Sequence, residues 1–449
     1  MENKPSHISI SSPSQKKSVN DDLTTRDVIS LLKELFSQYD GCLTMRLWNG
    51  IEIKLGKKSE SSDTPLFTLV CVNPYIIKSM VLGSDPLRLA DAYFHGDVDI
   101  EGDFFAAVLL KDQLQAIKMP LLQRVKTMIS ALRLPSHIIS DSDHVLTYDH
   151  RIKNHNKTEN RQAVKFHYDV SNDFYAFWLD EAMVYSCAYF EQSDNSLEQA
   201  QQAKLEHICR KLLLQPGELL LDIGCGWGAL AIYAAQHYGV KAHGITLSQK
   251  QFELATARIK QAGLENQVNI SLCDYRDMKG ADLYDKIVSV GMFEHVGLKN
   301  LPLYFATVHR LLKPAGLFLN HGITHDVEGW EKTLSTDFIN RYIFPDGQLD
   351  TVSNIQRAME RAKFEISDVE SLRPHYALTL RHWVSRLEKH HEKALQHVSE
   401  STYRVWRLYM AACALEFESG EIGIYQILAN KRESGQSNLP LTRRHLYAK

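Results

Sequence analysis

The stretch that most constrains this chain is Leu219–Gly228, LLLDIGCGWG, where three leucines and Asp222 give way to glycine at 224, 226 and 228. A short apolar run ending in a glycine-rich turn predicts a buried strand feeding a helix. Glycine frees the backbone to take positive φ and lets a ligand lie close against the main chain. Further apolar runs predict strands at Lys241–Leu247, Val268–Asp274, Asp285–Gly291 and Gly316–Gly322, with helices at Gln249–Gly263 and Tyr304–Lys313 between them. Strand–helix repetition builds a parallel sheet covered by helices on both faces. A ligand then sits beyond the C-terminal strand ends, near the first turn. The segment Glu421–Arg432 is predicted to close the sheet as an antiparallel edge strand.

The glycine spacing admits two cofactor classes. Gly224, Gly226 and Ala229 fit the Gly-x-Gly-x-x-Gly/Ala pattern of dinucleotide sites, which expects an acid roughly 20 positions on. His243–Gln249, HGITLSQ, carries no carboxylate there. S-adenosylmethionine (SAM) sites of the methyltransferase type place an acid just before the glycines, which Asp222 supplies, and that reading is preferred.

Upstream, residues 1–25 are polar and without period, as expected of a disordered tail. Helical spacing starts at Asp27–Ser37, and alternation across Asn49-Gly50 predicts a hairpin. Pro65–Asn73 reads as a strand, and Asp85–Leu110 as a helix, a glycine turn and a second amphipathic helix. Together 26–135 make a small α+β domain. Its segment Met119–His137 puts Leu121, Leu122, Val125, Met128, Ile129 and Leu132 on one helical face, with Arg124, Lys126 and Arg133 supplying positive charge. Such a helix suits either an anionic bilayer surface or packing on its own domain. A polar linker, 136–160, follows; its His144, His150 and His155 have no metal-ligand spacing. The aromatic-rich stretch Ala163–Gln192 opens the second domain, 161–449, and Ser196-x-x-Gln199 is a capping box.

A net charge of −3 over 449 residues argues against a nucleic-acid partner. No run approaches the ~18 apolar residues of a membrane span, and the first residues lack a signal peptide's apolar core, so a cytoplasmic protein is expected. Seven cysteines without a Cys-x-x-Cys pair read as reduced thiols, with no metal site.

The stretches FHYDVSNDFY, YSCAYF, LDIGCGWG, GITLS, DYRD, MFEHVG and HYALTLRHW, in this order across about 162–432, resemble cyclopropane-fatty-acyl-phospholipid synthases and the related mycolic acid methyltransferases. AYFHGDVDIEGD resembles the lipid-binding N-terminal domain of the phospholipid-acting members. The resemblance implies an α/β, Rossmann-like SAM-dependent methyltransferase with a seven-stranded, mostly parallel sheet. It implies methylene transfer from SAM across the cis double bond of unsaturated phospholipid acyl chains, through a carbocation deprotonated by bound bicarbonate. Cys187, Glu294, His321 and Tyr376 would hold that anion, and Cys413 matches a cysteine once assigned as nucleophile. Tyr185, Ser186, Asp222, Gly224 and Gly226 would meet the methionine part of SAM. Thr246, Leu247 and Gln251 would meet its ribose and adenine side, with Tyr275 and Arg276 bordering the adenine. Peripheral contact with the inner face of the membrane and a homodimer are also implied. A C-methyltransferase giving a methyl or methylene branch, a lipid-binding protein with a vestigial SAM fold and a nicotinamide oxidoreductase stay open.

Overall fold

The computed structural model describes residues 19–58, 65–82, 87–115, 121–132, 134, 156–168, 170–329, 333–345, 347–432 and 439–447. The chain divides into two compact units, Met1–Asp141 and Ser142–Lys449.

The first unit is a four-stranded sheet with helices. Strands β1 (Leu43–Arg46) and β2 (Glu52–Leu55) form the hairpin, closed where Gly50 takes φ +82° and Leu47 N–H donates to Ile51 O at 2.9 Å. Strand β3 (Phe67–Cys71) runs parallel to β1, and β4 (Val98–Gly102) antiparallel to β3. Strand β4 replaces part of the expected helix–turn–helix. With Val98 and Ile100 as its only strongly apolar residues, it is too short to declare a period of two. The first helix starts at Val19, inside the stretch read as tail. Its Val28, Leu31, Leu32 and Phe36 pack with Leu43, Met45, Phe67 and Leu69 of the sheet. In helix Leu121–Leu132 small residues face inward: Thr127 and Ala131 are buried, while Met128, Ile129 and Leu132 are 50%, 49% and 63% exposed. The Leu121, Leu122, Arg124, Val125 and Lys126 side chains, with Arg133 and the linker histidines, lie outside the described residues.

The second unit is built on a seven-stranded sheet: β5 (Leu219–Ile223), β6 (Lys241–Thr246), β7 (Val268–Leu272), β8 (Tyr284–Val290), β9 (Leu312–His325), β10 (Phe364–Ser371) and β11 (Ile422–Lys431), in the order β10-β11-β9-β8-β5-β6-β7. Strands β5 to β9 pair in parallel; β11 is antiparallel to both its neighbours. The expected closing strand therefore lies one place in from the edge, which β10 holds. A register shift between Ile366 and Asp368 interrupts β10's alternation, which hides it from a periodicity reading. Leu220, Val288, Leu317 and Leu319 face helices Leu197–Lys211 and Ala229–Tyr238, whereas Leu221, Ile287 and Phe318 face helix Leu301–Leu311. The capping box forms: Gln199 N–H donates to Ser196 Oγ at 3.2 Å, and Ser196 N–H to Gln199 Oε1 at 2.9 Å.

Candidate cofactor and catalytic site

The C-terminal ends of β5, β6 and β8 open into a pocket of about 1110 Å³ counted to its mouth. Ten residues nominated from the sequence line it: Tyr185, Ser186, Asp222, Gly224, Gly226, Thr246, Leu247, Gln251, Tyr275 and Arg276. The glycine turn is held by the Gly224 and Cys225 N–H groups, which donate to Ile245 O at 2.9 and 3.0 Å. Gly224 takes φ +81°, and a Cβ there would stand 2.8 Å from Met292 Cγ, so only glycine fits without displacement.

The polar wall is pre-arranged. Thr246 Oγ1 donates to Gln251 Oε1 at 2.7 Å, and Ser248 caps the helix that carries Gln251. Arg276 grips Asp274 through two hydrogen bonds of 2.8 and 2.6 Å. The Tyr275 hydroxyl is buried with no partner among the described residues, and burial pushes its pKa up to about 12. An unpartnered hydroxyl on a pocket-lining residue fits a polar ligand. Tyr185 joins the pocket to a buried aromatic cluster: its ring stacks on His167 at 5.7 Å and lies 5.3 Å from Trp178 and from Trp383. Phe174, Tyr175 and Trp178 are core residues without exposure. The Phe166 and Tyr168 side chains lie outside the described residues.

Three charged residues of this site escaped the sequence reading. The Asp180 carboxylate accepts from the N–H groups of Ala182 and Val184 at 3.0 and 2.8 Å, fixing a turn in which Met183 takes φ +57°. Arg258 Nη1 donates to Ala182 O at 2.8 Å and to Trp227 O at 3.1 Å, tying that turn to the glycine loop. Lys204, on helix Leu197–Lys211, lines the pocket and donates to Ser186 Oγ at 2.9 Å. Its signal in the sequence was a lysine in register with Leu197, Ala200 and Ile208, on the helix's buried face. Burial raises the Asp222 pKa to about 7 against the opposing charge of Lys204.

The residues nominated for the base do not line this pocket. Glu294 lies in the turn Phe293–His295 just after β8. Its Oε1 accepts from Ile323 N–H at 2.8 Å, and its Oε2 is buried without a partner among the described residues. Burial raises its pKa above the carboxylate range. Ile323 pairs with Ile424, whose carbonyl accepts from Leu372 N–H at 2.9 Å. Leu372 O in turn accepts from Tyr376 N–H at 3.1 Å and from the Cys187 thiol at 3.8 Å. A relay of backbone contacts thus runs from the Glu294 carboxylate through β9 and β11 to helix Arg373–Lys389 and Cys187, and the Lys204 charge acts on both Cys187 and His321. Burial pushes the Cys187 pKa far up, so it stays a thiol.

His321 lies on β9. Successive strand residues alternate, so its ring shares the face of Leu317 and Leu319, with Nδ1 3.3 Å from Gln426 Nε2. Neighbouring Gly322 points to the opposite face, where an added Cβ would stand 2.9 Å from Glu294 Oε1. His321 Nε2, like Glu294 Oε2, is buried without a partner among the described residues. Cys413 sits half-buried on helix Glu400–Ser419, outside the pocket lining. Among the described residues no cluster of His, Cys, Asp and Glu could hold a metal, and no helix is long and apolar enough to cross a membrane.

Comparisons with known proteins bear on the family and the fold. The family model described as mycolic acid cyclopropane synthetase matches residues 155–427. A "Probable fatty acid methyltransferase" of Pseudomonas putida is 41% identical over 408 residues, covering 90% of this chain and 96% of that protein. The "Cyclopropane-fatty-acyl-phospholipid synthase" of Escherichia coli K12 is 45% identical over 269 residues, 60% of this chain and 67% of that one. A solved mycolic acid cyclopropane synthase complexed with SAH and CTAB is 35% identical and covers 60% of this chain and 98% of its own, with a TM-score of 0.57.

Proposed function

Since the chain belongs to the mycolic acid cyclopropane synthetase family and is a SAM-dependent methyltransferase of lipids, we propose that its substrate is membrane phospholipid and its product a cyclopropane fatty acyl chain. The observation that carries this reading is the convergence of ten residues, scattered from 185 to 276, around one pocket. SAM, when bound, supplies an electrophilic methyl on a sulfonium, which the electrons of a cis double bond can attack. Gly224 and Gly226 let the main chain approach the donor, and Thr246, Gln251 and Tyr275 offer hydrogen bonds at the pocket's other end. Packed aromatics beside the site exclude water and favour positive charge on the acyl chain.

Ring closure needs a base for the proton left on the transferred carbon. A bicarbonate in that role is supported by the unpartnered, buried Oε2 of Glu294, which can orient a small anion by a shared proton. A role for Tyr376 and Cys187 beside it is supported by the Leu372 carbonyl they share, which accepts from the Tyr376 N–H and the Cys187 thiol. Contact of the His321 ring with the same anion is supported by its buried, unpartnered Nε2, with Nδ1 facing Gln426.

Purified protein supplied with SAM and unsaturated phospholipid vesicles should yield acyl chains heavier by one CH₂, with a ring by gas chromatography and mass spectrometry. A branched product would favour the second reading, C-methylation, which the name of the Pseudomonas putida relative supports. SAM binding without any lipid product would sink both and leave a lipid-binding protein.

Peripheral membrane contact through helix Leu121–Leu132 is supported by its outward Met128, Ile129 and Leu132. Met128→Asp with Ile129→Asp should lower binding to anionic vesicles by about tenfold or more, since each removes buried apolar area on docking. Their exposure means the fold should not suffer. Unchanged sedimentation with vesicles would remove this helix from consideration.

A further inference from the structure

The amino-acid end of SAM is a zwitterion, so a site built for it needs one cation and one anion that do not already neutralise each other. Among the described residues the pocket wall holds one lysine, one arginine and two aspartates: Lys204, Arg276, Asp222 and Asp274. Arg276 and Asp274 are closed on one another by their paired hydrogen bonds. Lys204 and Asp222 make no ion pair, with each other or with any other described side chain. Lys204 is only 2% exposed, and its Nζ donates to Ser186 Oγ at 2.9 Å, which leaves two of its three protons for another acceptor.

Burying an ammonium without a carboxylate partner is costly unless a ligand completes it. The lysine's pKa is accordingly lowered to about 8 by burial, against the opposing pull of Asp180, Cys187 and Asp222. Thr246, Gln251 and Tyr275 come from the ends of β6 and β7 and the helix between them, which suits the nucleoside, whereas Lys204, Ser186 and Asp222 belong to the side of β5.

We propose that Lys204 binds the α-carboxylate of SAM, a role that deepens and rests on the reading of this pocket as the SAM site with Asp222 at the donor's methionine end. Lys204 is then a cofactor-binding residue, and it fixes which way round the donor lies.

The test is calorimetry on the full chain with SAM and with decarboxylated SAM, which keeps the sulfonium and ammonium but lacks the carboxylate. Wild-type protein should bind SAM about 30-fold more tightly than the decarboxylated compound, the size of a hydrogen bond to a charged group. Lys204→Met should lose about that factor for SAM and nothing for the decarboxylated compound, bringing the ratio near one. Equal wild-type affinity for both compounds would overturn the proposal whatever the variant's stability. So would a Lys204→Met protein that loses affinity for both in equal measure, since that is a packing effect. Wild-type protein that binds neither compound would instead overturn the SAM reading itself.

Discussion

Gly224→Ala should reduce SAM affinity about 100-fold or more and take lipid methylation below detection, while leaving most of the fold intact. Two separate effects combine. An alanine at φ +81° carries a left-handed strain of roughly 1–2 kcal/mol. Its Cβ also meets Met292 Cβ and Cγ at 2.9 and 2.8 Å. The methionine tip is flexible, but Met292 Cβ is tied to the backbone just ahead of Glu294, so relief comes by moving one pocket wall into the other. Gly420→Ala is the control. Its φ is +90° with nothing within 4 Å, so it carries the strain without the collision. It should lower the melting temperature yet leave the calorimetric affinity for SAM unchanged. Equal SAM affinity in the two variants would show that the close approach at 224 is not what the pocket needs.

Glu294→Gln should leave SAM binding within about twofold of wild type and cut turnover by about 10²-fold or more, the scale of a lost acid–base group. The amide keeps a carbonyl oxygen for Ile323 N–H, so the local hydrogen bond survives. Stability separates this from a folding defect. Burial raises the Glu294 pKa, so the folded state favours the neutral carboxyl. That contribution is full below the unfolded-state pKa and is lost as pH rises through the raised folded value. Above that raised value the wild-type protein bears a buried charge that glutamine does not, and there Glu294→Gln should melt no lower than wild type. Activity that needs the ionised carboxylate should fall on the acid side at a higher pH than an ordinary glutamate would give, and the variant should lack that limb. A variant that keeps wild-type turnover would remove Glu294 from the chemistry.

Local pattern determined a great deal here. The run from Leu219 to Gly228 implied strand, turn and helix, because apolar period and glycine backbone freedom are properties of neighbouring residues. The capping box at Ser196 and the hairpin at Asn49-Gly50 were legible for the same reason: each is complete within four or five residues. The ten pocket-lining residues nominated for the cofactor were singled out through motifs, and the fold brought them together because all sit at one end of parallel strands or in the turn fixed by Asp180.

Only the tertiary structure decided the rest. Strand β10 conceals its period behind a register shift, and its place outside β11 depends on pairing across a long sequence separation. Lys204 is one more charged helical residue until the sheet covers it. What the His321 ring meets turns on how strands and helices lie together: a strand's alternation is fixed by sequence, but which face each side meets is fixed by the helices that pack there. Sequence sets what each segment can be, and packing sets which groups meet, because burial and charge pairing belong to pairs of segments rather than to either alone.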